Sequence, residues 1–302
     1  MKKVIVIAGA TATGKSALGL RLAHALDTEI ISGDSVQVYR DLNIGSAKLS
    51  FSQMEGILHH CIDTRDLDQR YSVYDFQQEA RQAISSLHDE GKVPILVGGT
   101  GLYLKAALYD YDFSQEENEI PVSEESNEVL YNQLKDLDPQ AAETIHPNNR
   151  KRILRALEIA KSGMTKSQRE AGQAKKPIYD VKMIVLDMPK EILDERIDIR
   201  VRQMIEDGLE DEVRRCFEYP KTWEYQSFQG IGYKEWKEYL ENKRSLEETI
   251  QEIVIHTRQF AKRQKTWFRH QFEADWVDAL DPKALDNIAA DLVSWAKTEE
   301  QE

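Results

Sequence analysis

Long apolar runs are missing from this 302-residue chain. No uninterrupted stretch approaches the ~20 residues that cross a bilayer, so a membrane span is not expected. A leader is not expected either: after Met1-Lys2-Lys3 the short run Val4–Ile7 belongs to the motif that follows it. Cysteine is scarce. Cys61 and Cys216 stand far apart and outside any metal-ligand spacing, which argues against a disulfide framework and for a reducing compartment, with the cytoplasm as the natural location. The histidines, His59, His60, His146, His256 and His270 among them, also lack metal spacing and are assigned to structure. There is no internal repeat. Surplus positive charge is absent: the formal net charge is −13, against the composition of a protein that coats nucleic acid nonspecifically. A localised nucleic-acid site stays open, because distribution matters more than the sum. Basic residues concentrate in 150–155, 196–202 and 258–269, and acidic ones in 110–143 and the C-terminal end.

What is present is ordinary for a globular protein, 41% hydrophobic and 31% charged, with length for one large or two moderate domains. The chain is organised around Gly9-Ala10-Thr11-Ala12-Thr13-Gly14-Lys15-Ser16, a G-x-x-x-x-G-K-[ST] phosphate loop. It follows the apolar run and precedes a helical pattern, Ala17, Leu18, Leu20, Leu22, Ala23 and Leu26. A strand, a glycine turn and a helix N-terminus aim several backbone N–H groups at one point, where an anion binds. Lys15 is placed to reach terminal phosphates, and Ser16 to offer its hydroxyl to Mg²⁺.

The first hundred residues alternate strand and helix: strand 4–8, helix 15–26, strand 29–32, helix 72–90 and strand 93–97. The last strand ends in Gly98-Gly99-Thr100-Gly101, which opens a helix at Leu102. This predicts an α/β fold, a P-loop NTPase-like parallel sheet flanked by helices, with ligands at the strand C-termini. Gly9–Ser16, Ser32–Gln37 and Gly98–Gly101 should then face one crevice. From about residue 112 the texture becomes acidic and polar, followed by helical segments at 124–136, 139–145 and 149–161. The expected division is 1–114 with 179–302 as catalytic core and 115–178 as a mainly helical insertion. Val181–Leu186 reads as a returning strand, 190–218 as one or two helices, and the remainder as helical with a turn at Gly230–Tyr233.

Several constellations admit two readings. Asp34, just past the second strand, can bind Mg²⁺ through water, act as a general base, or cap the next turn. Gln37 can bond an adenine edge bidentately or lie at the surface. Gly98–Gly101 is either a second anion cradle, with Thr100 as donor, or a tight turn. Arg196 and Arg200 share a helix face that suits a pyrophosphate, or pair with Glu195 and Glu206. Two basic helices, at 150–155 and 257–269, are solvated faces or a polyanion site. Trp267 and Phe268, interleaved in the second, favour RNA.

The ordered set Gly9–Ser16, Ser32–Tyr39, Asn43–Lys48, His59–Asp63, Tyr71–Phe76, Gly98–Leu104, Ile145–Asn149, Arg155–Ile159, Gly230–Lys234 and Ala261–Gln264 resembles the bacterial tRNA dimethylallyltransferase (tRNA isopentenyltransferase) family. The resemblance runs from residue 9 to about 270. It implies transfer of a dimethylallyl group from its diphosphate to the exocyclic amine of the adenosine 3′ to the anticodon. Its partners would be dimethylallyl diphosphate and the tRNA anticodon stem-loop, with no obligatory protein partner and a monomer expected. It further implies a prenyl diphosphate, not ATP, on Gly9, Ala10, Thr11, Ala12, Thr13, Gly14, Lys15 and Ser16, with Mg²⁺ at Ser16 and Arg196 near the diphosphate. Asp34 would be the base, with Thr100 near both reactants and Arg200 on the diphosphate. The tRNA contacts would be Asp34, Ser35, Val36, Gln37, Thr100, Lys151, Arg152, Ile153, Leu154, Arg155, Gln229, Gly230, Ile231, Gly232, Tyr233, Lys234, Lys262 and Arg263. The chain departs from the family at Ala10, where proline is usual, at Gly45-Ser46-Ala47-Lys48-Leu49, where Gly-Thr-Ala-Lys-Pro is usual, and over 121–128, where an arginine is common. A nucleoside-monophosphate-kinase-like enzyme is the main alternative, and a noncatalytic RNA-binding NTPase the second.

Overall fold

The computed structural model describes residues 1–111, 123–161, 163, 165–168, 177–219 and 221–298. The acidic stretch as far as 122, and Lys175-Lys176, lie outside the described residues. The chain divides into two compact units. The larger comprises Met1–Tyr71, Asp75–Leu108 and Ile178–Glu302; the smaller comprises Ser72–Tyr74 and Tyr109–Pro177.

The larger unit is built on a six-stranded parallel sheet. Its strands are β1 (Lys3–Gly9), β2 (Ile30–Gly33), β3 (His59–His60), β4 (Ile95–Gly98), β5 (Asp180–Asp187) and β6 (Asp275–Asp278), in the order β3-β2-β4-β1-β5-β6. Val4 to Ala8 of β1 are wholly buried, as a strand covered on both faces requires. Register pairs Ile7 with Val97 of β4 and with Ile184 of β5. Helix α1 (Lys15–Leu26) begins on Gly14, whose φ of 91° gives the left-handed turn between loop and helix. Helices α2 (Val73–Asp89) and α3 (Gly101–Leu108) follow.

In the smaller unit, α4 (Asn127–Leu137), α5 (Pro139–Thr144) and α6 (Arg150–Lys161) close a separate core of Leu130, Leu134, Ala142, Ile145, Ile153 and Leu157. Asp138 caps α5 through the Ala141 N–H at 3.1 Å, and α5 starts on Pro139, a residue suited to the first helical position. Back in the larger unit come α7 (Lys190–Glu206), α8 (Leu209–Phe217), α9 (Trp236–Leu240), α10 (Leu246–Gln271) and α11 (Pro282–Lys297). α10 starts with a capping box, Ser245 with Glu248, and carries Glu247 and Glu248 in its first turn and Arg269 and His270 in its last, both favourable to the helix dipole. α11 shares the core of Ile5, Ile7, Leu22, Ile95 and Ile184 through Ala289 and Leu292.

One expectation is corrected. The chain after 218 is not helical throughout, because Asp275–Asp278 adds an edge strand beside β5, with Val185 opposite Trp276. Its Asp-Trp-Val-Asp composition carries little strand pattern, and pairing with the buried β5 supplies the order. No helix among the described residues is long and apolar enough to cross a membrane.

The ends of β2 and β4 meet closely: a Cβ on Gly98 would lie 2.4 Å from the Gly33 carbonyl oxygen. Gly98→Ala is therefore expected to lower the unfolding free energy by about 1–3 kcal/mol, the usual cost of overpacking. Urea unfolding measures it, and a wild-type midpoint would show that the strand ends have slack.

Candidate functional site

The loop after β1 is held open by its own backbone. Gly9 has φ 148°, and a Cβ there would lie 2.6 Å from the Leu186 carbonyl of β5, so only glycine fits. Thr13 Oγ1 donates to the Ala10 carbonyl at 2.8 Å, and Lys15 Nζ donates to the same oxygen at 2.7 Å. Gly9, Ala10 and Thr13 thus shape the loop, while Thr11, Ala12, Gly14, Lys15 and Ser16 line a cavity of about 700 Å³.

The same cavity is lined by Asp34, Ser35, Val36 and Gln37 beyond β2 and by Thr100 beyond β4. Arg200 of α7 lines it too. Asp34 Oδ1 accepts the Val36 N–H at 2.8 Å and the Gln37 N–H at 3.3 Å, so the capping role is real and fixes the carboxylate. Gln37 is also held. Its Oε1 accepts the Ser32 hydroxyl at 3.0 Å, and its Nε2 donates to the Ser46 and Ala47 carbonyls at 3.2 and 3.4 Å. The Thr100 N–H donates to the Gly33 carbonyl at 3.2 Å, tying the third turn to the second.

Burial dominates the electrostatics. It lowers the Lys15 pKa from 10.5 to about 8; the Arg200 guanidinium adds to that, and the Asp34 carboxylate opposes it. Lys15 keeps some surface toward the cavity, but protein encloses its ammonium on the remaining sides. Burial also lowers the Arg200 pKa, again with Asp34 opposing. Two cations thus face one carboxylate, an arrangement completed by an anion.

The opposite chemistry lines the cavity as well. Ile197, Val201 and Met204 recur on α7 at spacings of four and three. Ile253, Thr257 and Phe260 do the same on α10. In sequence such stripes read as helix core faces. Here part of each faces space, so one cavity has the phosphate loop and two cations on one side and an apolar wall on another.

Other expected residues fall in different places. Gln229, Gly230, Ile231, Gly232 and Lys234 line the cavity, as does Arg263, whereas Lys262 is exposed away from it. Arg196 is exposed and does not line it. Tyr233 is wholly buried: its hydroxyl donates to Glu212 at 2.8 Å and accepts the Ser46 N–H at 3.0 Å, so its side chain is structural. Lys151 to Arg155 belong to the smaller unit. Ile153 and Leu154 are buried in its core and offer no side chain for contact, Arg155 pairs with Glu158 at 2.9 Å, and Lys151 and Arg152 are exposed.

The basic helix needs correction. Phe268 is completely buried, and Trp267 lies against Gly101, so neither aromatic is presented for base stacking. Arg258 donates to the Asp194 carbonyl at 3.0 Å and Lys265 pairs with Asp187 at 2.6 Å, so part of the charge on α10 anchors the helix.

Glu212 is a residue that sequence reading missed. Only 2% exposed, it accepts the backbone N–H groups of Asn43, Ile44 and Gly45 at 3.0, 2.8 and 3.1 Å. That fixes the segment whose carbonyls hold Gln37. Its one sequence signal is an acidic residue at an inward position of the amphipathic α8, flanked by the buried Leu209, Val213 and Cys216.

Comparison with known proteins gives a consistent picture. A family model described as IPP transferase matches residues 37–271. The chain is 49% identical over 290 residues to the tRNA dimethylallyltransferase of an Exiguobacterium species, covering 92% of this chain and 91% of that protein. It is 41% identical over 301 residues to the protein of the same name from Bacillus licheniformis, with 97% and 96% covered. Among solved structures it is similar to the tRNA delta(2)-isopentenylpyrophosphate transferase of Staphylococcus epidermidis, with TM-score 0.74, 37% identity, and 98% and 100% of the two chains covered. It is also similar to a eukaryotic dimethylallyltransferase acting on tRNA, with TM-score 0.84, 33% identity, and 100% of this chain and 82% of that one covered.

Lys15 sets a pH dependence. Below a pKa of about 8 its ammonium is ready to receive an anion; above it, binding must first take up a proton. Affinity for inorganic pyrophosphate should therefore fall above that pH, by at most about tenfold per pH unit. Lys15→Met should bind more weakly at neutral pH and lose this component. Titration calorimetry at fixed ionic strength checks it, and identical profiles for the two proteins would remove Lys15 from the anion site.

Proposed function

This chain belongs to the IPP transferase family, and from that premise we propose that it is a tRNA dimethylallyltransferase. Its substrates are dimethylallyl diphosphate and the adenosine 3′ to the anticodon. The observation that carries the reading is the single cavity that joins a phosphate loop and two enclosed cations to an apolar wall from α7 and α10. A diphosphate with a short branched hydrocarbon tail matches both halves. Family membership sets aside the kinase alternative.

In the proposed reaction the exocyclic amine of adenosine attacks the first carbon of the prenyl group. The carbon–oxygen bond to the diphosphate breaks, and the bonding pair leaves on pyrophosphate. Lys15, Arg200 and the N–H groups at the start of α1 stabilise the negative charge that grows there. The amine proton passes to Asp34. Its Oδ1 is fixed by two backbone N–H groups, so Oδ2 is the oxygen assigned to receive the proton. Thr100 adjoins both reactants, and Gln37 is the residue proposed to read the base, which requires its amide to exchange a carbonyl partner for the adenine edge.

The site also fits Mg²⁺. Ser16 and Asp34 bring a hydroxyl and a carboxylate to the same cavity, and Mg²⁺ typically uses few protein oxygen groups beside substrate phosphates and water. Ser16, which lines the cavity, would be the protein ligand. When bound there, Mg²⁺ would supply charge neutralisation to the diphosphate. For the RNA, we assign Gln229, Gly230, Ile231, Gly232, Lys234 and Arg263 around the cavity, and Lys151 and Arg152 on the smaller unit. These last two are proposed phosphate contacts that position without reading sequence. The target base must leave its stack to enter the cavity.

Asp34→Asn tests the base. It keeps the Oδ1 acceptor and removes the basic oxygen, so transfer in a single turnover should slow by about 10²–10⁴-fold. Affinity for anticodon-loop RNA should stay within about twofold. Normal single-turnover transfer by the variant would remove Asp34 from the chemistry.

A further inference from the structure

The β1–β4 ladder ends at Ala8 opposite Gly98. Past that pair the two chains turn apart, one into the phosphate loop and the other toward Thr100. No strand pairing holds them beyond it. The next link is a side chain from a third element. Gln264 of α10, 6% exposed, lines the cavity and bonds in both directions. Its Oε1 accepts the Thr11 N–H at 3.0 Å, and its Nε2 donates to the Gly99 carbonyl at 2.9 Å.

The fit leaves no slack. A Cβ on Gly99 would lie 2.3 Å from Gln264 Nε2, and one on Gly101 would lie 2.0 Å from the Trp267 indole, three residues further along α10. The helix is itself well anchored, by Lys265 on Asp187 at the end of β5 and by the buried Phe268. An amide is also the group the geometry asks for, since one planar unit must accept from one turn and donate to the other. A carboxylate would lack the donor, and an aliphatic chain would strand a backbone N–H and a carbonyl.

We infer that Gln264 is a positioning residue that holds the phosphate loop at a fixed separation from Gly99 and Thr100. It rests on the functional reading above and adds a role to it. Gly9–Ser16 carries the leaving group, and the turn of Gly99 and Thr100 adjoins the acceptor amine as well. Gln264 therefore sets the distance and line between the prenyl carbon and the attacking amine, while leaving each partner's own contacts intact. The consequence is specific: loss of the amide bridge should let both substrates bind and yet react slowly.

The test uses two variants that disturb the bridge from opposite sides. Gln264→Met keeps length and removes both bonds. Gly99→Ala leaves Gln264 unchanged and displaces its amide, and it carries the test if Gln264→Met fails to fold. In each, kcat for transfer to anticodon-loop RNA should fall by about a hundredfold, the scale of a misplacement of about 1 Å. Inhibition by inorganic pyrophosphate and affinity for the RNA should stay within about threefold of wild type, with assays run well below each variant's thermal midpoint. A wild-type kcat in Gln264→Met would overturn the inference. So would parallel losses of kcat, pyrophosphate affinity and RNA affinity, which would mark a merely structural glutamine. A wild-type protein that adds no prenyl group would instead overturn the functional reading.

Discussion

Everything at the site depends on how closely the parallel strands approach at their carboxyl ends. Gly33 and Gly98 are in backbone contact, and Gly9 lies against Leu186, with no room at Gly9 or Gly98 for a Cβ. Parallel strands that end level must send their chains out on the same side. The three turns that leave there carry Lys15, Asp34 and Thr100. None of these residues is near another in sequence; the sheet brings them to one cavity. Interior β1 contributes by being apolar on both faces, which places it between β4 and β5 and puts the phosphate loop beside the other two turns.

The local field runs against the charge of the whole. A chain with net charge −13 encloses Lys15 and Arg200 opposite one carboxylate. Enclosure raises the worth of every charge pair formed inside, and it also lowers the Lys15 pKa toward neutrality. In the proposed reaction an arriving diphosphate would satisfy both cations, and the apolar side chains of α7 and α10 would face the group attached to it. Surplus acidity elsewhere does not weaken such a site much, because exposed charges more than a Debye length away are screened.

The sequence made the sheet and the loop legible because both are written in local pattern. The run Val4–Ile7, the Gly-x-x-x-x-Gly-Lys-Ser spacing and the glycines after Val97 each carry their meaning within a few residues. The helical segments at 127–161 follow for the same reason. What was not legible is long-range. Gln264 meets Thr11 across 253 residues, and Glu212 meets Asn43 across 169. Their partners are backbone groups, which leave no trace in side-chain pattern. Trp267 and Phe268 misled for a related reason: aromatic residues among lysines and arginines look like an RNA surface, but α10 turns them inward onto Gly101 and the core. β6 is ordered by β5 beside it rather than by its own residues.

The central claim is that a loop of the kind that usually presents a phosphoryl group for transfer holds a leaving pyrophosphate here. Its most direct measurement is the mass of an anticodon-loop RNA after incubation with the protein, Mg²⁺, dimethylallyl diphosphate and ATP together. The account predicts a gain of one dimethylallyl group on the adenosine 3′ to the anticodon, matched by free pyrophosphate, with ATP unconsumed. An RNA of unchanged mass, or one that gains a phosphoryl group while ATP is spent, would contradict it.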